Sequence, residues 1–108
     1  MVISKLLAAS LMGCGLAASF SANSQAAHEV LYIKSLAATC ANCHGTNGKV
    51  VEGSSVLGLA GMPADYITAQ MKAFKTGARP ATVMHQLAKG FSDAQIDQLA
   101  SYFAAQKK

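Results

Sequence analysis

The sequence predicts an all-α protein of three to five helices, and three features support this. Apolar residues recur at helical spacing in several separate segments. No segment alternates apolar and polar residues as a half-buried β-strand would. Glycine and proline lie mostly at the boundaries of the periodic segments. The chain has 108 residues, which suits one small domain whose helices are joined by a long glycine-rich loop.

The N-terminal part of the chain has the pattern of an export signal. A short positively charged start precedes an apolar run over 6–16, and a polar stretch then ends in Ser-Gln-Ala at Ala26, which fits the small-x-small cleavage rule. The apolar run is shorter than the roughly 20 residues that a transmembrane helix needs. We therefore expect residues 1–26 to be a signal peptide and residues 27–108 to be a mature domain in a bacterial periplasm.

Cys14 leaves one alternative open for the leader. The stretch Leu11-Met12-Gly13-Cys14 resembles the lipobox at which a bacterial lipoprotein is cleaved and acylated, although methionine is unusual before the glycine. Acylation would anchor the protein to a membrane, whereas cleavage after Ala26 would release it. Membrane attachment is therefore expected only if Cys14 is lipidated.

The first three helices of the mature domain are predicted from periodicity and from their breakers. Apolar residues lie mostly three or four apart over about 29–42. The glycine-rich stretch 45–61 that follows is predicted to be a loop. A second helix is expected to begin at Pro63, which suits a first helical turn, and to end at Gly77. A short third helix is expected over 82–89.

The last helix has the clearest start signal. Ser92 and Gln95 match a capping box, in which the serine hydroxyl bonds the backbone N–H of Gln95 and the glutamine side chain reaches back. One apolar stripe then follows at i, i+3, i+4 and i+7, made of Ile96, Leu99, Ala100 and Phe103.

The charge balance favours no particular partner. The chain has 9 basic and 5 acidic residues, a net charge of +4, and these residues are scattered along it. A solvated surface explains so modest an excess, and nucleic-acid binding is not indicated.

The stretch TCANCHG at 39–45 carries the chemistry, because Cys40 and Cys43 lie three apart and His44 follows directly. A disulfide would close a tiny ring and leave His44 unexplained. A redox dithiol usually accompanies a βαβ pattern, and zinc needs four ligands that neighbouring cysteine and histidine side chains are poorly placed to share. Cys-x-x-Cys-His is the signature of c-type haem attachment: the thiols bond the vinyl groups and His44 ligates the iron.

Three longer segments resemble the small single-haem c-type cytochromes. LAATCANCHGTNGK, GLAGMPADYITAQMKAFKTG and RPATVMHQLAKGFSDAQIDQLASYFA are similar to the haem domains of the cytochrome subunit of flavocytochrome c sulfide dehydrogenase. The resemblance implies a cytochrome c-like fold around one covalently bound haem c, with Met84 as the second axial ligand of the iron. It also implies that the first and last helices cross, with these residues near the crossing: Tyr32, Leu36, Leu99, Tyr102 and Phe103.

Other residues compete with Met84 for the second ligand position. Met71 lies on the apolar stripe of the second helix and Met62 at a helix entry, where packing explains each of them. His28 is a further candidate. A haem with two histidine ligands, the second being His85, is the rival arrangement.

Leu57 is a departure from the pattern of relatives. They often have a proline there, whose carbonyl accepts the Nδ1 proton of the proximal histidine. Leucine still has a carbonyl, so the same bond to His44 can form from a less rigid loop.

The expected function is periplasmic one-electron transfer. Two axial ligands would leave no coordination position for a substrate, so no enzyme activity is expected. Docking to redox proteins is expected to be transient, at an exposed haem edge. A basic rim could steer it, made of Lys49, Lys72, Lys75, Arg79 and Lys89.

The alternative implied by the resemblance is a haem-bearing subunit of a flavoprotein sulfide dehydrogenase. That subunit often has two haems, whereas this chain has a single Cys-x-x-Cys-His.

Overall fold

The computed structural model describes residues 14–108, and their side chains from residue 22 onward. The chain divides into two units, Met1–Tyr32 and Ile33–Lys108. Helix α1 spans Cys14–Ala38, and its described side chains up to Tyr32 are exposed. The charged start of the predicted signal peptide, most of its apolar run, and the side chain of Cys14 lie outside the described residues. Within residues 14–108, no helix combines the length and the apolar character needed to cross a membrane.

Helix α1 begins and ends earlier than the sequence predicts. The helix expected over 29–42 is interrupted by a turn at Thr39 and Cys40, and a separate short helix, α2, spans Ala41–His44. The hydroxyl of Thr39 donates to the carbonyl of Leu36 at 2.7 Å. A threonine hydroxyl bonded in this way competes with the helical hydrogen-bond ladder, which explains the break.

The second predicted helix, α3, spans Ala64–Thr76, and its end signals are confirmed. Pro63 is its N-cap and Asp65 lies in its first turn, where a carboxylate is favourable. Gly77 ends the helix in the left-handed conformation with φ 81°, and its N–H donates to Phe74 at 3.2 Å.

The C-terminal part also follows the prediction. Helix α4 spans Met84–Leu87 and continues into a 3₁₀ turn, and helix α5 spans Asp93–Ala104. The capping box is present: the Gln95 N–H donates to the Ser92 hydroxyl at 3.2 Å, and the Ser92 N–H donates to the Gln95 side chain at 2.8 Å. Five helices and no β-strand occur within residues 14–108, so the all-α prediction is confirmed.

The core of the second unit joins the last turn of α1 to α3 and α5. All four residues of the predicted stripe on α5 are buried, and Ile96 and Ala100 are fully enclosed. Ala37 of α1 and Ile67 of α3 lie in the same buried cluster as Leu99, Ala100 and Phe103 of α5. Half-buried side chains around this cluster include Leu36 and Tyr102. Leu36, Leu99, Tyr102 and Phe103 thus lie in or against one cluster of this unit, whereas Tyr32 belongs to the other unit, and the crossing of the two helices stays a prediction.

Candidate haem-attachment site

The two cysteines lie on the turn between α1 and α2 and on α2 itself. Cys40 is half-buried against the core, Cys43 is exposed, and both are free thiols. The Cys40 sulfur lies 3.9 Å from the Thr39 hydroxyl. Burial raises the pKa of the Cys40 thiol, and the contact with Thr39 opposes this to a smaller extent. Because Cys40 is the N-cap of α2 and Cys43 and His44 lie in its single turn, one short segment presents both thiols and the imidazole.

His44 is the last residue of α2, and its imidazole is held by the backbone. The Nδ1 atom lies 2.7 Å from the carbonyl oxygen of Leu57. A carbonyl only accepts, so Nδ1 carries the proton and donates it. In the neutral ring Nε2 is then the unprotonated nitrogen, which is the form that ligates a metal. The expected hydrogen bond from His44 to the carbonyl of Leu57 is therefore present.

Shortly after Leu57, backbone hydrogen bonds join the glycine-rich loop to the segment that follows His44. The carbonyl of Gly48 accepts from Leu59 at 2.7 Å and from Ala60 at 3.0 Å. The N–H of Gly61 donates to Phe103 of α5 at 2.9 Å. The end of the glycine-rich loop is thereby fixed both to the segment after His44 and to the last helix.

Gly48 and Asn47 were recognised from the sequence only as turn residues, but they also make tertiary contacts. A Cβ atom on Gly48 would lie 2.8 Å from Phe103 Cδ1 and 2.9 Å from Leu59 Cβ. Asn47 has a left-handed φ of 55°, and its Oδ1 accepts from the Tyr102 hydroxyl at 2.7 Å. The run of Gly and Asn signals a turn, but nothing in it points to residues more than fifty positions away.

The candidate second ligand, Met84, begins helix α4, which packs against α3. Its side chain is half-buried. Met62 and Met71 pack against the core cluster, as the sequence predicts, whereas Met84 is not part of that cluster in the described chain. Met84 stays the predicted second ligand.

The histidine candidates differ in their surroundings. His85 is half-buried, and its Nδ1 is enclosed by protein with no hydrogen-bond partner. An oxygen or a metal could reach that atom only if the surrounding side chains moved. His28 is exposed on α1.

Large apolar side chains are exposed on the segments that carry the candidate ligands. Leu57 is 52% exposed in the loop that holds His44, and Val83 and Leu87 beside Met84 are each 50% exposed. Further exposed apolar residues of the loop are Val50, Val51 and Val56. Apolar surface at a site with few, well-placed polar groups fits a large apolar ligand such as a porphyrin. The free thiols, the oriented imidazole and the thioether fit a c-type haem.

Two lysines of the proposed basic rim, Lys72 and Lys75, contact carboxylate groups within the protein. Lys75 donates to Asp93 at 2.9 Å and to the carbonyl of Phe91 at 2.7 Å. Lys72 lies 3.6 Å from Asp97.

Five helices within residues 14–108, with a Cys-x-x-Cys-His segment at the turn before α2 and on α2 itself, define a small helical haem-attachment domain. The chain belongs to the cytochrome c family, whose family model, described as Cytochrome c, matches residues 30–107. Members of this family carry covalently bound haem c, and the spacing of Cys40 and Cys43 fits that attachment.

Several relatives are also cytochromes or electron acceptors by name. The chain is 39% identical over 71 residues to the thiosulfate dehydrogenase electron acceptor of Thiomonas intermedia, covering 66% of this chain and 33% of that protein. It is 38% identical over 68 residues to the cytochrome subunit of sulfide dehydrogenase of Chlorobaculum tepidum, covering 63% and 60%. It is 35% identical over 74 residues to cytochrome c-554(548) of Halomonas halodenitrificans, covering 64% and 86%.

The first two of these matches span less than two thirds of the relatives' own length. Family and relatives together identify an electron-transfer protein rather than an enzyme.

Proposed function

We propose that the protein is an exported one-electron carrier whose haem is bonded to Cys40 and Cys43 and ligated by His44 and Met84. The observation that carries this proposal is the 2.7 Å contact from His44 Nδ1 to Leu57. An imidazole fixed through Nδ1 presents Nε2 to a metal. When bound, the haem supplies a centre that reversibly takes up one electron. Methionine opposite histidine is the arrangement known in cytochromes c.

Ligation on both faces favours electron transfer over catalysis. Two protein ligands leave no open coordination position for oxygen, peroxide or a substrate. If Met84 and His44 stay in place in both oxidation states, little of the protein has to rearrange on electron exchange. If Leu57 and Val83 covered the bound haem, they would limit water at the site, and this effect and the thioether would both favour the reduced state.

Export is the part of the proposal that depends on the leader alone. Residues 1–26 have the charged, apolar and polar order of a signal peptide. We assign residues 27–108 to the mature periplasmic domain. Lipidation at Cys14 is the alternative, and mass spectrometry of the mature N-terminus separates the two.

The names of the relatives suggest a donor that oxidises reduced sulfur compounds. One relative is an electron acceptor of thiosulfate dehydrogenase and another a subunit of sulfide dehydrogenase. The proposed partner is therefore a dehydrogenase that this protein meets transiently. The second candidate is a dedicated haem subunit of a flavoprotein sulfide dehydrogenase. Purification of the native protein distinguishes the two candidates, because flavin is expected to co-elute with a dedicated subunit and not with a free carrier.

Electrostatic steering of such a partner would depend on a subset of the basic rim. Lys72 and Lys75 already face Asp97 and Asp93. Lys49 and Lys89 are exposed and have no carboxylate partner in the described part of the chain. If they steer docking, the reduction rate falls with rising ionic strength, and a flat profile excludes steering.

The axial ligands are tested by the far-red charge-transfer band of the ferric holoprotein, which reports methionine sulfur on the iron. The wild-type protein is expected to show the band. Met84→Leu is expected to lose it and, when reduced, to bind carbon monoxide. Met71→Leu is the matched control, since Met71 packs in the core, and it is expected to keep the band. Absence of the band in wild type, or its survival in Met84→Leu, contradicts the assignment.

A further inference from the structure

His28 is the exposed histidine of this protein. The chain has 3 histidines, and all of them lie within the described residues. His44 is half-buried with its Nδ1 bonded to Leu57, and His85 is half-buried with its Nδ1 enclosed by protein. Histidine is the commonest metal ligand in proteins. The imidazole of His28, on the open side of α1, is therefore the one that a metal ion in solution can reach.

Cleavage after Ala26, as proposed above, makes His28 the second residue of the mature chain. The new α-amino group of Ala27 then lies next to it, and such a group loses its proton more readily than a lysine ammonium group does. In a continuous helix the N–H of His28 donates to the carbonyl of Ser24, four residues earlier. Cleavage removes Ser24, and the first N–H groups of a helix have no partner within it. The backbone nitrogens of Ala27 and His28 are thereby freed from helical hydrogen bonds.

These nitrogens have the spacing of a chelating ligand. The amine of Ala27 and the amide nitrogen of His28 close a five-membered ring on a metal ion, and that amide nitrogen and the imidazole Nδ1 close a six-membered ring. Ala27, His28 and Glu29 are all exposed, so uncoiling this end of the chain loses no buried contact. The three nitrogens can then lie in one plane. A square plane of nitrogen and oxygen ligands is typical of Cu(II).

The side chains of the described residues offer no alternative metal site of the usual kind. Among them, no group of three or more His, Cys, Asp or Glu side chains could hold a metal ion. A further metal site in this part of the chain therefore needs ligands from the backbone. The N-terminus created by cleavage supplies two such ligands beside an exposed imidazole.

We propose that the mature N-terminus binds one Cu(II) ion through the amine of Ala27 and the amide nitrogen and imidazole Nδ1 of His28. This inference rests on the leader cleavage in the proposed function and is independent of the haem. Binding releases the amide proton, and any proton on the amine or the imidazole, to solvent. Copper stays divalent, since no electron is transferred. The ionised amide and the carboxylate of Glu29 together balance the charge of the ion, and water holds the fourth position.

The test adds copper sulfate at neutral pH to the exported ferric holoprotein, whose cysteines are occupied by the haem and do not compete. Intact mass first establishes whether the chain begins at Ala27. After gel filtration, we expect one copper per wild-type molecule and a Cu(II) EPR signal split by three nitrogens. His28→Gln is expected to lose both the copper and the signal. Glu29→Gln is the matched control, because it keeps all three nitrogens, and it is expected to retain the copper and the nitrogen splitting.

A second variant tests the role of the amine. Insertion of Gly-Ser-Gly-Ser between Ala26 and Ala27 keeps the imidazole of His28 but moves the α-amino group away from it. This variant is expected to lose the bound copper although its three histidines are unchanged. Retention of copper with the same EPR signal would show that the amine is not a ligand, and would overturn the proposal.

The outcomes separate this inference from the proposed function. Equal copper in wild type and His28→Gln, or no copper in wild type, overturns the inference, while covalent haem and the far-red band leave the electron carrier in place. A mature chain that does not begin at Ala27 overturns the inference together with the leader assignment, and again leaves the haem chemistry untouched. A protein without haem that begins at Ala27 and binds copper only when His28 is present would support the inference and contradict the proposed function.

Discussion

The imidazole of His44 is held by the carbonyl of Leu57, with 2.7 Å between Nδ1 and the oxygen. The acceptor is a backbone carbonyl, so the identity of residue 57 matters only through the conformational freedom of the loop. The carbonyl of Gly48 limits that freedom by bonding Leu59 and Ala60. The orientation of a candidate iron ligand is therefore set by how well this loop is closed.

Loosening the loop at Leu57 is expected to weaken the hold on His44. In Leu57→Gly, ordering the loop costs about 0.5–1 kcal/mol more in backbone conformational entropy. The Nδ1 proton of His44 should then exchange with solvent about two- to fivefold faster, which hydrogen exchange followed by NMR measures. Leu57→Ala keeps the carbonyl and most of the stiffness, and equal exchange in the two variants would refute this account.

Gly48 is expected to tolerate no side chain. Its φ of 74° costs a residue with a Cβ about 1–2 kcal/mol. The contact of that Cβ with Phe103 at 2.8 Å adds about 1–3 kcal/mol of overpacking. Gly53 has a similar φ of 78° but open space around it, so Gly53→Ala isolates the first cost. Denaturant unfolding should show a larger loss of stability for Gly48→Ala than for Gly53→Ala. Equal losses would show that Phe103 moves away from the added methyl group.

The hydrogen bond from Tyr102 to Asn47 should stabilise the turn after His44. Its oxygens lie 2.7 Å apart, and a bond of this kind contributes about 0.5–1.5 kcal/mol. Tyr102→Phe is expected to lower the free energy of unfolding by that amount. Tyr66 is 49% exposed, so Tyr66→Phe is the control and should change little. A loss no larger for Tyr102→Phe than for the control would mean that water replaces the bond.

The pair of Lys75 and Asp93 predicts a defined pH dependence. The hydrogen bond from Lys75, and then its charge, lower the pKa of Asp93. A carboxyl group whose pKa is lower in the folded state stabilises that state above the unfolded pKa, and the effect is lost as pH falls through the folded value. The stability difference between wild type and Asp93→Asn should therefore be largest near neutral pH and vanish in acid. Glu52→Gln is the exposed control, and a difference that does not change with pH would rule out the linkage.

Signals within a few residues of each other were predictable from the sequence. The capping box of Ser92 and Gln95, the Gly77 stop and the buried stripe of α5 all follow from local spacing, and all are confirmed. The end of α1 was misplaced because a threonine hydroxyl turned back on the helix, a choice that periodicity does not encode.

Contacts between residues far apart in the chain could not be predicted from the sequence. The partner of Asn47 lies on α5, and the hydrogen bond from the Arg79 guanidinium to the side chain of Gln70 depends on how the chain folds back after Gly77. Lys75 belonged to the predicted basic rim, but its ammonium group is bonded within the protein. The candidate ligands were found from the motif and the resemblance, whereas what orients them required the structure.

The intact mass of the exported protein tests the central claim most directly. Addition of two thiols to the vinyl groups of one haem leaves every atom in place, so the predicted mass is that of residues 27–108 plus one haem, retained after denaturation. Replacement of Cys40 and Cys43 by serine should remove that added mass. A wild-type mass equal to that of the bare polypeptide would contradict covalent haem attachment and the electron-carrier function built on it.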